Sequence, residues 1–150
     1  TKVFEAREAI QNGASDIDMV MNIGKFKSEE YSFVKKDIGA VVKAAKEERR
    51  KDIIIKVIIE TGHLTDGEII KASQFVEEAG ANFVKTCTGF GPRETTVKDV
   101  ELVRSAVSDK LGIKAAGGIR TFEDVVKLMS ASVDRIGTSA GVNIIKGWHE

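Results

Sequence analysis

Two lysines carry the first suggestion of chemistry, because each closes a short apolar run and is followed by a glycine-bearing loop. They stand in Phe83-Val84-Lys85-Thr86-Cys87-Thr88-Gly89-Phe90-Gly91 and in Gly112-Ile113-Lys114-Ala115-Ala116-Gly117-Gly118-Ile119-Arg120. An amine attacks a carbonyl only when neutral, and desolvation or a neighbouring like charge brings it to that state. Lys85 is the candidate nucleophile and Lys114, one strand later, the candidate source of the like charge. Taken singly, each is also compatible with a strand-end lysine whose ammonium sits in solvent. The pair is more informative than either alone.

Asp18 lies in Asp16-Ile17-Asp18-Met19-Val20-Met21-Asn22. The alternation puts Asp16, Asp18 and Val20 on one face of a strand and Ile17, Met19 and Met21 on the other. One reading of Asp18 is a carboxylate that moves protons, directly or through water, while an amine attacks. The other is a carboxylate that pairs with a lysine and does no more. Lys56, in Ile55-Lys56-Val57-Ile58-Ile59-Glu60, has the same inward placement and the same two readings, with Glu60 and Thr61 expected at the rim.

Anion binding is suggested by Gly117-Gly118 ahead of Ile119-Arg120, and by Gly137-Thr138-Ser139-Ala140-Gly141 further on. Glycines let backbone N–H groups approach a phosphate, and a helix starting near Ser139 would aim its positive end there. His63 is expected to face solvent from its loop. Trp148 and His149 are expected to pack or hang at the C-terminus, and Cys87 to be a small packing residue rather than a redox one.

The elements that must position these residues follow from periodicity. Strands are predicted around Ile17 to Ile23, Ile53 to Ile59, Phe83 to Thr86, Gly112 to Ala115 and Val133 to Ile136. Helical spacing fills the gaps through Tyr31, Val34, Ile38, Val41, Val42 and Ala45. It recurs through Ile69, Ala72, Val76 and Ala79, through Val100, Val103 and Val107, and through Phe122, Val125, Val126 and Met129. Each such face should pack on a sheet. Thr65 with Glu68, Thr96 with Asp99 and Thr121 with Asp124 read as capping boxes, and Gly13 and Gly80 as helix ends. Strands alternating with helices, and a closing helix after Ser139, imply parallel pairing through right-handed crossovers.

That alternation suits a doubly wound sheet or a (β/α)8 TIM barrel. Asp18, Lys56, Lys85 and Lys114 decide for the barrel, because charged groups within strands need a polar lumen to face. A barrel has eight strands and this chain supplies about five. The expectation is therefore a partial barrel over one domain, 1–150, with three strand–helix units absent upstream.

Composition narrows the function. The 150 residues are 42% apolar and 31% charged, with 23 basic against 23 acidic residues. Balanced charge, broken only by the short Lys46 to Lys51 run, gives no support to nucleic-acid or anionic-membrane binding. No apolar run is long enough to span a bilayer, and no signal-peptide pattern opens the chain, so a cytoplasmic enzyme is expected. A single cysteine and two histidines far apart in sequence do not indicate a metal site.

Five ordered motifs then carry a family resemblance. Asp-Ile-Asp-Met-Val-Met-Asn-Ile-Gly (Asp16 to Gly24), Lys-Val-Ile-Ile-Glu-Thr (Lys56 to Thr61) and Val-Lys-Thr-Cys-Thr-Gly-Phe-Gly (Val84 to Gly91) are three of them. Lys-Ala-Ala-Gly-Gly-Ile-Arg (Lys114 to Arg120) and Arg-Ile-Gly-Thr-Ser (Arg135 to Ser139) complete the set. Together they resemble the deoxyribose-phosphate aldolases. The resemblance implies a (β/α)8 barrel and reversible cleavage of 2-deoxy-D-ribose 5-phosphate to acetaldehyde and D-glyceraldehyde 3-phosphate, without metal or organic cofactor.

It also implies that Lys85 forms the Schiff base, that Lys114 depresses its pKa and joins proton transfer, and that Asp18 belongs to the proton relay. Lys56 matches a further active-site lysine, and Gly89, Gly117, Gly118, Gly137 and Ser139 fall where the family holds phosphate. Cys87 and Ala140 depart from the serines common at those positions. The implied partners are small phosphorylated sugars and aldehydes, with a second copy or the missing barrel portion completing the assembly. A non-catalytic barrel fragment and a different lysine-dependent phosphosugar lyase are the alternatives.

Overall fold

The computed structural model describes residues 1–48 and 52–149, so the Arg49 to Lys51 part of the basic run and the side chain of His149 lie outside the described residues. Five strands form one parallel sheet in chain order: β1 (Asp16–Val20), β2 (Ile54–Ile58), β3 (Phe83–Lys85), β4 (Gly112–Ala116) and β5 (Arg135–Gly137). The register places Asp18 beside Lys56, Ile58 beside Lys85, and Lys85 beside Lys114. Strands β1 and β5 are the outer strands, and the ring is not closed.

The helices are α1 (Lys2–Gln11), α2 (Ile23–Lys27), α3 (Tyr31–Glu47), α4 (Asp66–Glu78), α5 (Val97–Ala106), α6 (Phe122–Ser130) and α7 (Gly141–Lys146). All three capping boxes form, so α4, α5 and α6 start where local chemistry directs them. Gly80 follows α4 at φ 79°, the left-handed geometry that ends a helix most cheaply in glycine. The buried face of α3 is Val34, Ile38, Val41, Val42 and Ala45, as its spacing requires. It packs with Met19, Ile55, Val57, Ile69 and Val84 in one continuous core between helices and sheet.

Four expectations are corrected. The first strand stops at Val20 rather than Ile23, because the Asn22 side chain accepts the Lys25 N–H at 3.1 Å and caps α2. Glu60 and Thr61 are buried rather than at the rim. There the chain turns inward through a left-handed Glu60, φ 55°, whose carboxylate accepts both the backbone N–H and the hydroxyl of Thr88. Val107 falls outside α5, as its extended C-cap. On α6 the inward face is Leu128 with Phe122 and Val125 beside it, whereas Val126 and Met129 are exposed.

Those two residues point to the flank, where an apolar groove of about 530 Å³ runs between α6 and the C-terminal turn. Trp148 stacks on Phe122 there at 6.1 Å. Among the described residues no helix is long and apolar enough to cross a membrane.

Candidate active site

The sheet's inner face carries its charges in a connected layer. Asp18 on β1 is the hub: its Oδ2 accepts Lys85 Nζ at 2.7 Å and Lys114 Nζ at 3.1 Å, while Lys56 Nζ lies 3.1 Å from Oδ1. Burial alone would raise the Asp18 pKa, but the hydrogen bonds from Lys85, Lys114 and Lys56 outweigh it and hold the group at about 2. Asp18 is thus a carboxylate at any physiological pH, and it joins side chains from four strands.

Lys56 differs from its two neighbours. It is 2% exposed and lies between Asp18 and Asp16, whose Oδ1 it also bonds. Asp16 in turn accepts Arg135 Nη1 at 2.8 Å, and the hydrogen bond from Lys56, against burial, holds its carboxyl below the usual range. The Arg135 guanidinium lies over the Phe83 ring, 4.8 Å from its centroid. Neither Lys56 nor Asp18 lines the adjacent cavity, which Lys85 and Lys114 reach.

That cavity, about 420 Å³, is lined by Lys85, Lys114 and three loop segments: Thr88–Phe90, Ala116–Arg120 and Gly137–Ser139. Five of the residues expected to hold phosphate, Gly89, Gly117, Gly118, Gly137 and Ser139, therefore share one wall with the two reactive-amine candidates. Gly89, Gly117 and Gly118 adopt positive φ of 95°, 96° and 82°. At Gly118 the demand is double, since an added Cβ would come 2.4 Å from Glu94 Cδ. Glu94 also pairs with Arg120 at 2.6 Å, which draws that guanidinium along the cavity edge. Helix α7, with six residues, begins at Gly141, just past the cavity-lining segment Gly137–Ser139.

Sequence reasoning missed the supports of this wall. Asp99, read as a cap, is also a buried acid clamped by Arg93 through Nη1 at 2.6 Å and Nη2 at 2.8 Å. Burial pushes its pKa up, yet Arg93 and the Thr96 backbone N–H pull it below the ordinary value. Thr61 donates to Asp99 at 3.2 Å, and Cys87 lies between Thr61 and Thr95, at 3.3 and 3.5 Å. Cys87 is buried, as a packing residue should be, and His63 is exposed in its 3-10 turn. Thr86 reaches across to β4, donating to Ala116 O and accepting Ala116 N–H, both at 3.1 Å. Thr61, Thr86, Cys87 and Ala116 lie within the family motifs, whereas Arg93 and Thr95 lie outside them. Among the described residues no group of three His, Cys, Asp or Glu is placed to hold a metal ion.

Comparison with known proteins identifies the family. A family model for "DeoC/LacD family aldolase" matches residues 1–147. The chain belongs to that family.

Relatives include the deoxyribose-phosphate aldolase of Caldanaerobacter subterraneus subsp. tengcongensis, 55% identical over 148 residues, 99% of this chain and 63% of the relative. That of Thermococcus gammatolerans is 53% identical over 146 residues, 97% of this chain and 64% of the relative. Among solved structures, an aldolase named QR15 superposes with a TM-score of 0.90 at 41% identity, covering 98% of this chain and 64% of that one. The tetrameric deoxyribose phosphate aldolase of Aeropyrum pernix gives 0.86 at 30% identity, covering 99% and 61%. The chain thus spans less than two thirds of the length of these family members, and it superposes on them as a parallel barrel segment.

Proposed function

We propose that this chain carries the Schiff-base centre of an aldolase that cleaves 2-deoxy-D-ribose 5-phosphate reversibly to acetaldehyde and D-glyceraldehyde 3-phosphate. The observation that carries the reading is the meeting of Lys85 and Lys114 on one oxygen of Asp18, beside a cavity walled by glycine loops. The names of the relatives support the choice of substrate.

In this reading neutral Lys85 adds to the aldehyde carbon of the sugar, and water leaves as the imine forms. A base takes the proton of the C3 hydroxyl, and the electrons of the C2–C3 bond move into the protonated imine. D-glyceraldehyde 3-phosphate leaves and an enamine remains. Protonation at C2 and hydrolysis then release acetaldehyde and restore the amine. Asp18 and Lys114 carry the protons, since a proton leaving Lys85 passes to its neighbour across one shared oxygen. Gly89, Gly117, Gly118, Gly137 and Ser139 hold the phosphate through backbone N–H groups and one hydroxyl.

The same reading covers the open edges. Strands β1 and β5 present unpaired backbone groups, which invite pairing. In the working assembly they are covered by a second copy or by strand–helix units such as the longer relatives carry. In this reading the enzyme works in the cytoplasm, where a phosphorylated sugar, too charged to cross a bilayer unaided, is retained.

Borohydride reduction in the presence of acetaldehyde tests the proposal. One N-ethyl adduct should map to Lys85, and acetaldehyde should be released from deoxyribose 5-phosphate. An adduct on Lys114 in place of Lys85 would overturn the assignment of the nucleophile.

A further inference from the structure

The charged layer continues past the residues given a part in the reaction. Lys56 is almost wholly enclosed, and an enclosed ammonium needs its charge matched. Two carboxylates share that duty: Asp16 through Oδ1, and Asp18 through its own Oδ1 at 3.1 Å. Because Asp16 takes part of it, Asp18 is left with Oδ2 for Lys85 and Lys114. Arg135 holds Asp16 from the opposite outer strand, at 2.8 Å.

We infer that Asp16 is a positioning residue for the reaction: by sharing Lys56 it leaves Asp18 free to present one oxygen to both reactive amines, and Arg135 fixes Asp16 in its turn. The inference rests on the aldolase reading above. Without the Asp16 charge, Lys56 would draw on Asp18 alone, and that carboxylate would turn away from the amines it serves. Asp16 and Arg135 are each about two-fifths exposed on their side chains (39% and 41%), so their contact adds little to stability and its effect is orientation. The charged groups facing Asp16 among the described residues are Lys56 and Arg135, and those facing Asp18 are Lys56, Lys85 and Lys114.

The test compares Asp16→Asn, which keeps size and removes charge, with Asp16→Glu, which keeps the charge. The rate of acetaldehyde trapping at Lys85 by borohydride is followed as a function of pH, with kcat and KM for deoxyribose 5-phosphate. Asp16→Asn should slow trapping and lower kcat by about tenfold or more, the scale expected of a misplaced catalytic group. Its KM should stay within about twofold, because the phosphate wall is untouched. Its pH profile should move, and Asp16→Glu should recover most of the loss.

Trapping at Lys85 as fast in Asp16→Asn as in the unsubstituted chain, with an unmoved pH profile, would overturn the inference and leave the aldolase reading intact. No adduct at Lys85 in the unsubstituted chain would overturn both. Should Asp16→Asn fail to fold, Arg135→Gln carries the same comparison: slower trapping supports the inference, and an unchanged rate and profile reject it.

Discussion

Lys85 and Lys114 stand directly opposite one another in the register of β3 against β4, and the oxygen that receives both amines belongs to β1, at the far edge of the sheet. Neighbouring strands set the two amines side by side, and the curl of the sheet brings the acid to them. The proton transfer proposed between the amines therefore needs no movement of the backbone.

Replacing Lys114 should show what that adjacency does. Lys114→Leu is expected to lower kcat by about a hundredfold or more, the scale of a lost proton-transfer partner. The fold should persist, because the Lys114 side chain is 20% exposed and removing it strands no buried charge, Asp18 keeping Lys85 and Lys56. Lys114→Arg should not restore the rate, since a guanidinium does not release its proton. Steady-state kinetics beside thermal melting would check this, and full activity in Lys114→Leu would contradict it.

Acid should weaken the fold through the same hub. The Asp18 pKa falls from 3.8 to about 2 in the folded chain, so between those values the unfolded state binds more protons and stability rises with pH. The contribution is full above about pH 4 and is lost as pH falls through about 2. With allowance for solvent screening it is on the order of 1 kcal/mol. Asp99, also held below its ordinary value, adds loss in the same direction. Urea unfolding at a series of acidic pH values should show this slope, and Asp18→Asn should reduce it; an unaltered slope would count against the hub as drawn.

The phosphate wall predicts a split between substrates. Gly118→Val and Ser139→Glu should raise KM for deoxyribose 5-phosphate at least tenfold more than for deoxyribose, since only the phosphorylated sugar needs the loops. At Gly118 the added carbon meets Glu94, and the φ of 82° is strained for any side chain. Glu94→Ala added to Gly118→Val should therefore relieve only part of the defect. Equal losses for both substrates would instead indicate general distortion.

What the sequence made legible was whatever depends on near neighbours in the chain. Thr65, Thr96 and Thr121 announce their helices because a capping box closes over three residues. Lys85, Lys114 and Asp18 stand out because a charge inside a five- or three-residue strand must point somewhere polar. The grip of Glu60 on Thr88, of Arg93 on Asp99 and of Arg135 on Asp16 was not legible, since each depends on how loops and outer strands meet in space. Val126 and Met129 mislead for a related reason. A helix at the margin of the sheet has two apolar neighbours to choose from, and periodicity does not say which side each residue takes.

The strand order has a consequence for how the centre comes into being. Every strand pairs with the one before it in the chain, so the sheet can grow by short loop closures of similar entropy, one unit after another. The chemistry does not share that economy of reach: Lys114 meets Asp18 across 96 residues, and Arg135 meets Asp16 across 119. Asp18 finds Lys56 across a single strand pair, but its hold on Lys85 and Lys114 exists only where the strands between them have curled the sheet, so the centre depends on the whole arc and not on any one strand–helix unit.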